Sequence, residues 1–385
     1  MLIEKNICEI TVGHYVVKIA KQQGNFSLSA PGHIKNKAVI NHLKSKQVLS
    51  VFIDDSKTIK EENEEKTVIG RINPEEIRKA KQIFDQSKAI QKDLFNAALT
   101  GSTLNLSPVI DITNKSIDAI FNNPDSLACM LNIRHKDEYL LEHSVSVSIY
   151  ITLFARYLKL DRKIIEQLSI GAFLHDVGKI KIPDEILNKP GKLTDDEFTI
   201  MKTHANHSID IIKKTPGISK LSLDVAALHH EKLNGQGYPF QVKADKIHKY
   251  GRMIAICDIF DALTATRVYK KGFAHGKAFM ILRELAEQNH LDGKLVDHFI
   301  KCVGVFPVGS LVQLESKKLA LVKERNNGDP TNPKVHSFYS VKLNHFLNKQ
   351  SIDLSECDDF IVKGVRAEEF DLDMNQILEL LLMEG

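Results

Sequence analysis

Between Asp137 and Asp261 the chain carries seven potential metal ligands of imidazole and carboxylate type: His143, His175, Asp176, His204, His229, His230 and Asp258. The sequence around them is apolar and helical in its periodicity, so these groups are expected to project from several helices into one all-helical metal site.

Two adjacent pairs sharpen that expectation. His175-Asp176 closes the apolar run IIEQLSIGAFL. Neighbouring helical residues point about 100° apart, so on a helix the imidazole would bind one metal while the carboxylate, with two oxygens, bridges both. The tandem His229-His230 can serve two metals in the same way, and a pair of pairs predicts a pair of cations. Lys179 follows Asp176 by three residues and shares its helical face if the helix persists that far. Its ammonium could there neutralise a phosphate oxygen or protonate a leaving alkoxide. Without the pair beside it, a solvated lysine at a helix end would be the default reading. Imidazole and carboxylate ligands without thiolate suit iron or manganese, and zinc, nickel or magnesium could also occupy such a site.

Composition excludes several function classes. Lys plus Arg (52) nearly balances Asp plus Glu (49), so no nucleic-acid polymer is expected as a partner. Five scattered cysteines without a CxxC argue against disulfides and point to a reducing compartment. The charged amino terminus MLIEKNICEI lacks a signal-peptide core and no 18-residue apolar run occurs, so a cytoplasmic protein without membrane association is expected.

The predicted fold class is multidomain α+β. Residues 1–60 read as a small α/β N-terminal domain: strand-forming residues Ile10, Val12, Tyr15, Val17 and Ile19 around Gly13, a helix over 35–46 and a strand over 48–53. Asp54-Asp55 after that strand reads as a turn rather than a phospho-acceptor pocket, because too little chain remains for a receiver fold. Residues 61–106 read as a charged linker and a connecting helix, whose apolar stripe Ile77, Ala80, Phe84, Ile90 and Leu94 fits either homodimerisation or packing between domains. Residues 107–305 are helix after helix. Residues 306–385 change to alternating β-formers over 310–314, 319–323 and 337–341, closed by a helix over 373–383.

HDVGK, KIPDEILNKPGKLTDDEF, MKTH, HHEKLNGQGYP and AICDIFDALTATRVYK follow one another over roughly 137–303. In this order they resemble the HD-GYP family, a bacterial branch of the HD phosphohydrolases that linearise cyclic dinucleotides. The resemblance implies metal ligation by all seven residues named above, with Asp176 bridging and Lys179 as the active-site lysine. It further implies that Gly237-Tyr238-Pro239 is the signature loop at the substrate, and that Arg267 and Lys270 meet guanine and phosphate groups. Asp261 fits a capping role and a substrate contact equally. Two divalent cations sharing a water would lower its pKa and hold hydroxide in line with phosphorus.

The chain departs from the family at two positions. Some members bind a third metal through a glutamate four residues before the first histidine; here that residue is Tyr139, and Glu138 and Glu142 point along other helix faces, so two metals are expected. Asn234 stands where the family usually has aspartate, which keeps a turn geometry but removes a charge. If that position only shapes the loop, activity survives; if it positions His230 or the lysine, the rate falls. Glu231 is expected to orient a ligand, His135 and His207 to be surface or packing residues, Cys257 to be buried, and Tyr238 to shape the loop and stack on a base. The start of the chain, with ITVGHYVVKI and FIDD, is similar to a small domain that commonly precedes HD-GYP domains, and FPVGSLVQL to a β extension that follows them.

The implied reaction is hydrolysis of cyclic di-GMP to 5′-pGpG, with slow passage to GMP; 3′,3′-cyclic GMP-AMP is the alternative substrate. A reading of another class is a module that binds a cyclic dinucleotide or a GGDEF-type diguanylate cyclase without hydrolysis, against which the complete ligand set argues. A broader phosphohydrolase acting on mononucleotides is disfavoured by the long loop through Gly237-Tyr238-Pro239.

Overall fold

The structure, a computed structural model, describes residues 2–11, 13–28, 30–34, 37–57, 74–132, 138–266, 271–326 and 328–377. The chain divides into two compact units, Met1–Val68 and Ile69–Gly385.

The first unit is a four-stranded antiparallel sheet of order β1-β4-β2-β3, with β1 Leu2–Asn6, β2 Tyr15–Gln22, β3 Gly32–His33 and β4 Val48–Asp54, plus helix α1 Lys37–Ser45. Ile7, Val16, Ile40, Leu43, Val51 and Ile53 form its core. The strand expected beside Gly13 is β2, which holds Tyr15, Val17 and Ile19; Ile10 stays outside it, after the 3-10 turn Ile7–Glu9 capped by Asn6, and a further strand, β1, precedes that turn at Leu2–Asn6. Asp54 accepts hydrogen bonds from the backbone N–H and hydroxyl of Ser56, so the Asp54-Asp55 pair forms the expected turn. Most of the expected charged linker lies outside the described residues.

The second unit opens with α2 Pro74–Thr100, then α3 Ser107–Asn122, α4 Pro124–Met130, α5 Tyr139–Tyr157, α6 Arg162–Leu174, α7 Asp184–Leu187, α8 Asp195–Lys213, α9 Lys220–Leu228, α10 Lys249–Thr264, α11 His275–Glu287 and α12 Gly293–Val303. The stripe on α2 is consumed within this unit: Ile77, Ala80, Phe84 and Leu94 are buried in the same core as α3, α5 and α10. Helices α5 and α10 are apolar on every side and accordingly sit at the centre, with Val147, Ile151, Phe154, Ile256 and Phe260 fully buried. His143, Asp258 and Asp261, on the buried stretches of these helices, therefore face other protein groups rather than water.

The C-terminal part is a five-stranded antiparallel sheet of order β8-β7-β6-β5-β9: β5 Leu311–Leu314, β6 Lys318–Glu324, β7 Lys334–Ser340, β8 His345–Asp353 and β9 Ile361–Val365. Alternate residues of β5 and β6 feed two apolar clusters, Leu311, Leu319 and Leu321 in one, Val312, Ala320 and Val322 in the other. Two arginines tie the sheet to the helices. Arg325 pairs with buried Asp125 at 2.9 Å and donates to the Cys302 carbonyl, while Arg366 donates to the carbonyl of Thr264 (2.6 Å) and the hydroxyl of Thr266 (2.8 Å) at the end of α10. The expected closing helix is visible only as a turn over 374–377; its remainder lies outside the described residues.

Candidate metal centre

Five segments bring the seven candidate ligands together in two groups. Asp176, His204, His229 and His230 form one, and His143, His175 and Asp258 the other, with potential ligand atoms within 4.8 Å of one another in each. The Asp176 carboxylate lies between them. Its Oδ2 is 3.2 Å from His175 Nε2 and 3.3 Å from His143 Nε2, and its Oδ1 is 3.4 Å from His204 Nε2 and 3.8 Å from His229 Nε2. Asp258 spans the groups as well, with Oδ1 at 3.0 Å from His143 Nε2 and Oδ2 at 3.4 Å from His230 Nδ1. Donors bound to one cation at about 2.1 Å stand about 3 to 3.5 Å apart, so most of these separations already fit. Two buried atoms aimed into the cluster, His175 Nε2 and Asp176 Oδ1, have no hydrogen-bond partner among the described residues. Buried polar atoms left in this way fit a cation.

The adjacent pairs reach this arrangement differently from the helical expectation. Helix α6 stops at Leu174 and α9 at Leu228, so His175 and His229 are C-cap residues, and Asp176 and His230 lie past the helix ends. Carbonyls at a helix end lack intrahelical donors. His175 Nδ1 donates to Ala172 O and His229 Nδ1 to Ala226 O, each at 2.6 Å, and His204 does the same with Met201 O within α8. With the proton fixed on Nδ1, each Nε2 keeps its lone pair for the interior. Lys179 sits in a 3-10 turn, Val177–Lys181, which still brings its Nζ to Asp176 Oδ2 at 2.5 Å.

His143 is held by a side chain instead of a carbonyl. Its Nδ1 lies 2.7 Å from Oδ2 of Asp261, which is fully buried. Asp261, placed above between capping and substrate contact, thus lies behind an imidazole with no access to a ligand. Asp261→Asn keeps the shape but removes the charge that fixes the ring. Metal affinity and turnover are expected to fall about 10- to 100-fold with the melting temperature nearly unchanged. A metal titration of the purified variant checks this, and wild-type affinity would remove Asp261 from the centre.

Electrostatics separate the two groups. Burial brings the His204 imidazole down to about 4 and the His229 imidazole down to about 3, and pushes His230 well down too, with His229 adding to it; all three are neutral and available as ligands. Burial also opposes charge on His143, yet Tyr139 and the carboxylates of Asp176, Asp258 and Asp261 raise it well above the usual imidazole range. That end of the cluster favours a positive charge. Burial would raise Asp176, but His175 and Lys179 outweigh it and hold the carboxyl ionised, and Asp176 in turn keeps the half-buried Lys179 charged.

Tyr139, where a third ligand would stand, stacks on His143 with ring centroids 5.4 Å apart. Glu138 and Glu142 turn instead to Lys88 of α2, at 2.7 and 3.5 Å. In the signature loop, Gly237 is buried, and a Cβ there would lie 2.4 Å from Lys232 N and 2.7 Å from His230 O. It was grouped with the substrate contacts above; its place is against the backbone of 230–232, where only glycine lets the loop close. Tyr238, joined to Pro239 by a cis peptide, packs on His230 at 4.5 Å between ring centroids. Glu231 orients the loop and no ligand: its carboxylate accepts from the backbone N–H groups of Phe240, Gln241 and Val242. Asn234 closes a local turn, accepting from Gln236 N at 3.0 Å, and so shapes the loop without touching His230. His207 lies partly exposed on α8 and Cys257 is buried with its thiol pushed far up by burial, whereas His135, Arg267 and Lys270 lie outside the described residues. Sequence reasoning missed Ser208, whose hydroxyl accepts from Gly178 N at 2.8 Å. Its spacing of four from His204 on α8 was the available signal.

The chain is 32% identical over 337 residues to a curated cyclic di-GMP phosphodiesterase of Pseudomonas aeruginosa, a match covering 83% of this chain and 81% of that protein. The chain belongs to the HD-GYP family. Residues 128–295 match the HD domain model, and residues 3–109 match a domain of unknown function, DUF3391. A 3′3′-cGAMP-specific phosphodiesterase of Vibrio cholerae is 33% identical over 213 residues, 54% of this chain and 39% of that one. The fold is shared with an HDG"Y"P protein from Bdellovibrio bacteriovorus, with TM-score 0.52 at 16% identity over 79% of this chain and 99% of that one. Among the described residues no helix is long and apolar enough to cross a membrane.

Proposed function

We propose that this HD-GYP protein hydrolyses a 3′,5′-phosphodiester of cyclic di-GMP to linear pGpG, with slow passage to GMP, at a pair of divalent cations. The observation that carries this reading is the Asp176 carboxylate set between two ligand groups, one oxygen towards each. His204, His229 and His230 would hold one cation, His143, His175 and Asp258 the other, and Asp176 both; iron or manganese suits such donors. When bound, such cations lower the pKa of water and offset charge on phosphorus.

The remaining work falls to this chain's own groups. Asp176 and Asp258 keep the imidazoles aimed inward, and the Nδ1 bonds to backbone carbonyls fix which nitrogen faces the centre. Lys179, charged and bonded to Asp176, is placed to hold a phosphate oxygen as negative charge builds up. Tyr238 stands beside the cluster, against His230. Arg267 and Lys270 are proposed as the guanine and phosphate contacts on the strength of the family motif.

The test is turnover by the purified full chain, loaded without oxygen with Fe(II) or Mn(II), on cyclic di-GMP and on 3′,3′-cyclic GMP-AMP separately. Release of pGpG is expected. Faster cleavage of the second dinucleotide would transfer the substrate assignment to it, in keeping with the Vibrio cholerae relative. Two bound metals with no cleavage of either substrate would sink the hydrolytic reading in favour of a binding module.

A further inference from the structure

The proposed chemistry uses the inner side of Tyr238 and leaves its outer side unexplained. On that side Phe198 of α8 is 46% exposed. A lone exposed aromatic is ordinary; the surroundings of this one are not. Its ring meets Tyr238 at 6.4 Å and 88°, and Tyr238 in turn lies against His230, one of the candidate ligands. The aromatic contacts therefore run without interruption from the ligand cluster to solvent. Lys202, one helical turn beyond Phe198, places its ammonium 5.3 Å from the Phe198 ring centre.

The position is also rigid. Thr194 and Glu197 form a reciprocal capping box at the start of α8, and Lys189 pairs with Glu197 at 2.6 Å. Phe198 N–H donates to Thr194 O at 2.8 Å, so the ring projects from a fixed first turn. Two rings at a right angle form a corner in which a flat heterocycle stacks on one face and meets the edge of the other. An ammonium beside such a corner adds attraction for a phosphate on the same ligand.

We infer that Phe198, with Tyr238 as the second wall, is the stacking platform for a purine base of the cyclic dinucleotide, and that Phe198 sets affinity for the base. The inference rests on the function proposed above and deepens it. In the substrate each base hangs from a ribose bonded to the phosphates, so a base on Phe198 leaves a phosphate free to enter the cluster.

The chain has no tryptophan, so Phe198→Trp supplies a single reporter at the proposed platform. Its emission is expected to be quenched when metal-loaded protein is mixed with cyclic di-GMP, before turnover, and to be unchanged by ribose 5-phosphate, which has no base. Phe121→Trp on α3, an exposed aromatic that touches none of these rings, should show no response. Phe198→Ala is expected to raise KM roughly tenfold, the loss falling on KM rather than kcat. Equal responses from the two reporter variants, or a KM within twofold of wild type in Phe198→Ala, would overturn the platform. Quenching in Phe198→Trp without cleavage by any metal-loaded form would retain the platform and refute the hydrolytic reading. Cleavage with no change of emission in Phe198→Trp would do the reverse.

Discussion

Asp176→Ala is expected to lower metal content from two ions per chain to less than one and to reduce turnover on the order of 10³-fold or more, about 4 kcal/mol of barrier. The size follows from position. This carboxylate sends one oxygen towards His143 and His175 and the other towards His204 and His229, so its removal withdraws negative charge from both proposed metals at once. It also leaves the half-buried Lys179 ammonium without its partner at 2.5 Å, placing a positive charge where cations must enter. Asp176→Asn retains volume and an acceptor oxygen but not the charge; it should keep the fold and lose turnover nearly as severely. Elemental analysis and rates on cyclic di-GMP decide the matter. An alanine variant that held two metals and a tenth of wild-type turnover would rule out a bridging role.

How far the sequence could reveal this centre depends on whether residue identity or three-dimensional context decides each feature. The seven candidate ligands were legible as a set because metal chemistry admits few donors, and the structure brings these imidazoles and carboxylates together in two groups. The helix ends at His175 and His229 were not, because IIEQLSIGAFL gives no stop signal; the halt comes when the ring takes a backbone carbonyl. Asp261 escaped assignment because its partner, His143, is 118 residues away. In the C-terminal sheet β6 and β7 announced themselves through buried apolar residues, whereas β8, HFLNKQSID, is a largely exposed polar edge strand whose pairing with β7 only the fold supplies. Likewise Arg325 and Arg366 look like surface arginines until the sheet is placed against α10 and α12.

The glycine of HDVGK shows the same dependence on context. Gly178→Ala is expected to cost about 3 kcal/mol of stability and to lower turnover on the order of 10²-fold. A Cβ at this position would lie 2.3 Å from His204 O, 2.3 Å from Ser208 N and 2.8 Å from His207 C. All three are backbone atoms of α8, so no side-chain rotation relieves the overlap; either α8 or the 175–179 segment must retreat. Helix α8 carries His204 and the segment carries His175, Asp176 and Lys179, so either movement draws His204 away from Asp176, 3.4 Å apart within one ligand group. Ser208→Ala isolates the packing from the hydrogen bond. It deletes only the acceptor for Gly178 N–H, with an expected cost of about 1 kcal/mol and the centre otherwise in place. Thermal melts of both variants, with turnover measured well below their midpoints, separate lost stability from lost geometry. If Gly178→Ala melted and turned over like the wild type, α8 would not lie against this turn, and the placement of His204 opposite Asp176 would fall with it.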